Sequence, residues 1–145
     1  MKIFLGGTCP SNKTDFDYRT LLIPLLRENN IDYFNPVVED WTDECQEIEE
    51  QQKEICDIHL YIVTPNMKGV YSIAETFGSL IKGYRSIFCY VYKVNDLTFD
   101  KSQWKSLEAT GNLFAECGGE SWVLDSDHDF DDRFIKEIIL KDYYK

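Results

Sequence analysis

Residues 57–63 read Asp-Ile-His-Leu-Tyr-Ile-Val and run directly into Thr64-Pro65-Asn66. A seven-residue, largely apolar run closed by a proline turn is a buried strand and is too short for a typical helix. After it, Val70, Ile73, Ala74, Phe77, Leu80 and Ile81 fall at helical spacing, which predicts a helix over 70–80. Before it, residues 42–56 are rich in glutamate and glutamine and contain no glycine or proline, so helix is again expected. The apolar stripe of that second helix is thin, as for an exposed helix or one packed on a partner.

The same alternation continues in both directions. Residues 2–6 read as a first strand, 15–29 as a helix, and 31–34 as a short second strand ended by Asn35-Pro36. Downstream, 86–92 is a further strand, 102–117 a helix stopped by Gly118-Gly119, and 121–124 a fifth strand. An acidic loop at 125–132 leads into a last helix ending near Tyr143. Five strands alternating with five helices predict a flavodoxin-like, Rossmann-like three-layer α/β sandwich, a five-stranded parallel sheet of order 2-1-3-4-5. With no linker or repeat, residues 1–145 are expected to form one domain. Ligands in such sheets sit beyond the carboxyl ends of strands 1 and 3, which selects the segments 6–12, 35–41 and 64–75.

The chain has 145 residues, 26 acidic against 15 basic, for a net charge of -11. That field repels nucleic-acid polymers and anionic membranes, but a local pocket can still take a small nucleoside or nucleotide. No apolar run reaches the roughly eighteen residues of a membrane span, and residues 1–7 are too brief for a secretory core. The five cysteines are scattered and form no C-x-x-C pair, which argues against a disulfide framework or a zinc site and for a reducing cytoplasm.

The loop Gly6-Gly7-Thr8-Cys9-Pro10-Ser11-Asn12 fits neither the dinucleotide fingerprint nor the P-loop. It is either a tight strand-to-helix turn or a backbone cradle for a ligand. Cys9 has no evident imidazole partner, since His59 lies inside a buried strand and His128 in the late acidic loop. Ser72 and Glu75 form an S-x-x-E pattern at a helix start, the signature of a capping box. Glu75 falls roughly 155° from the centre of the apolar stripe, at about 100° per residue. It is therefore either a solvated surface residue or a carboxylate turned into the crevice. Glu44, Glu47, Glu49, Glu50 and Glu54 read as a solvated face, and Asp57 as a strand-start charge. The aspartates at 125–132 lack the glycine and glutamate of a calcium loop and read as a surface turn; no metal site is expected.

Taken together, I-F-L-G-G-T at 3–8, Y-R at 18–19, F-N-P-V-V-E-D-W at 34–41, D-I-H-L-Y-I-V-T at 57–64 and G-V-Y-S-I-A-E at 69–75 resemble the nucleoside 2-deoxyribosyltransferase-like family. The likeness covers the first ninety residues. It implies cleavage or transfer at the N-glycosidic bond of a nucleoside or nucleotide, with no cofactor. By the same resemblance Glu75 is the nucleophile and Asp57 assists proton transfer to the leaving base. Gly6, Gly7 and Thr8 lie against the sugar or a phosphate, which Arg19 also accepts. Asp40 and Trp41 sit near the base, and Tyr71 and Ser72 occupy the stretch just before the nucleophile. A homodimer or larger homo-oligomer is expected. Two other readings remain open: a TIR-like hydrolase of NAD or a signal nucleotide, and a non-catalytic nucleotide-binding module.

Overall fold

Alternate residues of the central strands go to opposite faces of one sheet. In the computed structural model, which describes residues 1–143, strands β1 (Lys2–Gly7), β2 (Asp32–Phe34) and β3 (Ile58–Val63) are parallel to β4 (Arg85–Val94). β5 (Leu97–Thr98) folds back on the end of β4 as an antiparallel pair, and β6 (Glu120–Ser126) is parallel to β4 on its outer side. The parallel order is β2-β1-β3-β4-β6, so the fold is the expected flavodoxin-like sandwich. The strand predicted at 121–124 is the sixth in the chain, not the fifth. Asn95, at φ 51°, turns the overlong β4 into a hairpin whose two-residue second strand carries no periodic signal.

One face of the sheet is aliphatic. Ile3, Leu5, Ile58, Leu60, Ile62, Ile87, Cys89 and Val91 pack against Leu22 and Leu26 of α1 (Arg19–Glu28) and against Phe134, Ile135, Ile138 and Ile139 near the C-terminus. The other face is aromatic. Val63, Phe88 and Tyr90 meet Ile73, Phe77 and Leu80 of α3 (Tyr71–Ile81) and Leu107 and Phe114 of α4 (Lys101–Glu116). Phe4 and Tyr61 form a smaller cluster with Cys56, at the end of α2 (Asp43–Ile55).

Several boundaries differ from expectation for local reasons. α1 starts at Arg19 rather than residue 15, because the Asp17 carboxylate accepts from the Arg19 backbone N–H at 3.1 Å and so caps the helix there. The last helix breaks into one α-turn, α5 (Asp132–Phe134), a π-helical turn (Ile135–Ile139) and a 3₁₀ turn (Lys141–Tyr143). On α3, Val70, Ala74 and Ile81 are exposed while Thr76 and Ser79 are buried, so its inward face is rotated toward polar residues. Among the described residues no helix is long and apolar enough to cross a membrane.

Candidate functional site

The loop after β1 is fixed from beneath. Gly7 has φ 105°, and a Cβ there would stand 2.0 Å from the Ile62 carbonyl oxygen, so only glycine fits. Thr8 donates its N–H to that carbonyl at 2.9 Å, and its hydroxyl accepts from the Thr64 N–H at 3.0 Å. The carboxyl ends of β1 and β3 are thereby clamped together. Arg19, only 1 % exposed, donates from Nε to the Leu5 carbonyl at 2.9 Å and from Nη1 to the Thr8 carbonyl at 2.8 Å. Asp17 neutralises it at 2.9 Å, and Tyr18 donates its hydroxyl to the Gly6 carbonyl at 2.6 Å. Cys9 is an exposed residue whose thiol turns back toward the Gly7 carbonyl, at 3.8 Å; desolvation raises its pKa, with the Arg19 charge opposing. It is a thiol at neutral pH.

Above this platform a cavity of about 340 Å³ opens between the loop and the first turn of α3. Gly7, Thr8, Cys9 and Ser11 line one side, and Lys68, Gly69, Tyr71, Ser72 and Glu75 the other. A second cavity of about 460 Å³ lies between α2 and α3 and shares Tyr71 and Glu75 with the first. A third, about 420 Å³, runs from Ser11 toward Val37 and Val38. Each matches the volume of a small-molecule pocket, and Glu75 stands where the first two meet.

Glu75 is not part of a capping box. α3 begins one residue before Ser72, without a side-chain cap, and the Glu75 carboxylate instead reaches Lys53 of α2 at 2.8 Å. Both side chains of this pair are 22 % exposed, so Glu75 belongs to the crevice and not to a solvated surface.

One comparison with known proteins finds a match. Residues 1–92 fit the family described as nucleoside 2-deoxyribosyltransferase like, nearly two thirds of the sequence. The chain belongs to that family. No curated protein and no solved structure matches it. The residues lining all three cavities lie within the family match, whereas α4 and β6 lie outside it.

Of the residues singled out in this nucleoside 2-deoxyribosyltransferase-like chain, the structure brings Gly7, Thr8, Tyr71, Ser72 and Glu75 to one cavity. Gly6 and Arg19 serve as its underside. A Cβ on Gly6 would strike the Tyr61 ring at 2.6 Å, and Arg19 donates from Nε and Nη1 to the loop's own carbonyls and Asp17 while its Nη2 is buried without a hydrogen-bond partner. Asp57 is not brought to that cavity. It accepts from the Lys2 N–H at 2.8 Å at the amino end of the sheet, is 63 % exposed, and lines none of the three cavities. A six-residue strand, about 20 Å long at roughly 3.3 Å per residue, separates it from the loops. Asp40 and Trp41 are exposed and also line none of these cavities.

Glu49, which the α2 glutamate run concealed, is half-buried and also lines none of the three cavities. Cys45, Glu49, Gln52 and Lys53 form the inward row of α2, at i, i+4, i+7 and i+8. Burial raises the Glu49 pKa, the Glu75 charge raises it further, and Lys53 and Arg19 oppose. That inward row, read against exposed Ile48 and Ile55, was the available signal.

Proposed function

We propose that the protein cleaves, or transfers across, the N-glycosidic bond of a deoxynucleoside or its monophosphate, with Glu75 as nucleophile and Glu49 as acid–base. The observation that carries this reading is the Glu75 carboxylate where two cavities meet, with Glu49 on the inward row of the neighbouring α2. Glu75 is ion-paired and shared by two cavities, and Glu49 is half-buried and held toward its protonated form. Retaining glycosyl transfer needs two such carboxyls with their protonation set apart by environment.

In the first step a Glu75 oxygen attacks C1′. The C1′–N bond breaks, its electron pair leaves with the base, and the Glu49 proton neutralises the departing nitrogen. A glycosyl ester on Glu75 results. In the second step the Glu49 carboxylate takes a proton from water as that water attacks C1′, and Glu75 departs as a carboxylate. A second base in place of water completes a transfer. Gly7, Thr8, Lys68 and Ser72 beside Glu75 hold the sugar and, in a nucleotide, its phosphate. These steps call for no cofactor.

The reading extends to assembly as a homodimer. Ile48 and Ile55 on α2 and Val70, Tyr71 and Ile81 along α3 are exposed apolar residues flanking the crevice, a face suited to a second copy. Light scattering is expected to give at least twice the chain mass. The scattered free cysteines suit a reducing cytoplasm.

The test is chromatography of free bases after incubation with deoxynucleosides, deoxynucleoside monophosphates and NAD. Base release from the deoxy substrates, lost in Glu75→Ala by at least about a thousandfold, is the expected result. Parental turnover by Glu75→Ala overturns the assignment. Cleavage of NAD alone transfers the reading to a TIR-like hydrolase, and thermal stabilisation without base release makes the protein a binding module.

A further inference from the structure

Lys53 is held at both ends. Its ammonium lies 2.8 Å from Glu75 Oε2 and 5.2 Å above the Phe4 ring. Its backbone carbonyl, in the last turn of α2, has no partner inside the helix. His59 Nε2 fills that role at 2.7 Å. A carbonyl only accepts, so Nε2 carries the hydrogen.

The rest of the contact chain then has one direction. His59 is completely buried, and its ring is stacked on Tyr84 at 4.3 Å between centroids. Burial disfavours its protonation, the bond to the Lys53 carbonyl opposes that, and the charges of Lys53 on α2 and of Lys82, just after α3, disfavour it further. The neutral ring presents Nδ1 as an acceptor, so the Ser79 hydroxyl donates to it at 2.9 Å. The Ser79 oxygen in turn accepts from the Tyr61 hydroxyl at 2.6 Å. Tyr61 and His59 belong to β3 and Ser79 to α3, so this chain ties both elements to the end of α2.

We infer that Lys53 is the positioning residue for Glu75, and that the buried chain Tyr61–Ser79–His59 fixes Lys53 by its backbone. This rests on the reading of Glu75 as nucleophile. The ammonium engages Oε2, directs the carboxylate, and leaves the second oxygen to attack. A protonated His59 would keep its Nε2–H on the Lys53 carbonyl and donate from Nδ1 as well, so the Ser79 hydroxyl would have to turn toward Tyr61.

The experiment has a kinetic and a spectroscopic arm. With deoxynucleosides and deoxynucleoside monophosphates, Lys53→Met is expected to lower kcat roughly tenfold to a hundredfold, with KM within about threefold, and Lys53→Arg to recover most of it. Ser79→Ala, which removes the link between Tyr61 and His59, is expected to lower kcat severalfold. In ¹⁵N spectra, His59 should show the neutral Nε2–H tautomer at neutral pH. A slowly exchanging Lys53 ammonium signal should vanish in Glu75→Gln. Parental kcat and pH profile in Lys53→Met, or a His59 ring in the Nδ1–H form, overturns the inference. A parent that releases no base defeats the glycosidic reading instead, and the two spectroscopic results still decide the positioning chain.

Discussion

The two faces of the sheet are built from the same strands and do different work. Toward α1, Ile58, Leu60 and Ile62 of β3 join Ile3, Leu5, Ile87, Cys89 and Val91 in a dry aliphatic layer. Toward α2 and α3, the intervening His59 and Tyr61 meet Ser79 and Lys53, and α2 itself has no fully buried residue. Burying a large aliphatic side chain contributes about 1.5–3 kcal/mol, whereas a buried polar chain gains little net and is costly if any link is missing. One face therefore holds the fold, and the other holds charged and hydrogen-bonding groups in fixed directions where the crevice needs them.

This division has measurable consequences. Leu60→Ala on the aliphatic side is expected to cost about 2–5 kcal/mol in urea titration, with kcat per folded molecule unchanged. Stability near the parent's would break the comparison from that side. Glu49→Gln on the crevice side should keep the fold and slow base release about a hundredfold. The loss should be largest for bases that must be protonated to leave and small for an activated leaving group such as p-nitrophenol.

Between these lies a pH effect. His59 is held below its ordinary pKa in the folded protein, so the unfolded chain binds the extra proton first. Stability is then complete above about pH 7 and falls as pH drops through the ordinary histidine range near 6.5. His59→Gln should flatten that slope between pH 7 and 6. Glu49, raised in the fold, has the opposite sign, but in the carboxylate range. The smallest effect is expected for Asp57→Asn, which should change stability by less than about 1 kcal/mol and leave base release at the parental rate. Slowed cleavage in that variant would mean that the amino end of the sheet reaches the chemistry after all.

How far the sequence carried follows from which features leave a period in it. The short apolar run of β3 announced a buried strand, and its repetition between stretches of helical spacing announced the order of strands and helices. The hairpin strand β5 and the π-turn Ile135–Ile139 are too short to leave one. Glu75 was legible as a residue but not as a partner, because its ion pair is with a helix twenty-two positions earlier. Arg19 looked like a phosphate ligand, since sequence cannot show that the Leu5 and Thr8 carbonyls and Asp17 would claim it. Asp57 lies one strand length from the loops, a separation that sequence does not display, and Glu49 was hidden among glutamates that differ only in the direction they face.

The central claim is that Glu75 takes the sugar. A 2′-fluorinated arabinosyl nucleoside slows both chemical steps by destabilising an oxocarbenium-like transition state, so a glycosyl-enzyme should accumulate and be visible by mass spectrometry after trypsin digestion. The tryptic peptide 69–82 carries Glu75 as its sole side-chain carboxylate. The account predicts the sugar adduct on that peptide, absent from Glu75→Gln. An adduct on any other peptide, or base release from this substrate by Glu75→Gln at the parental rate, would contradict it.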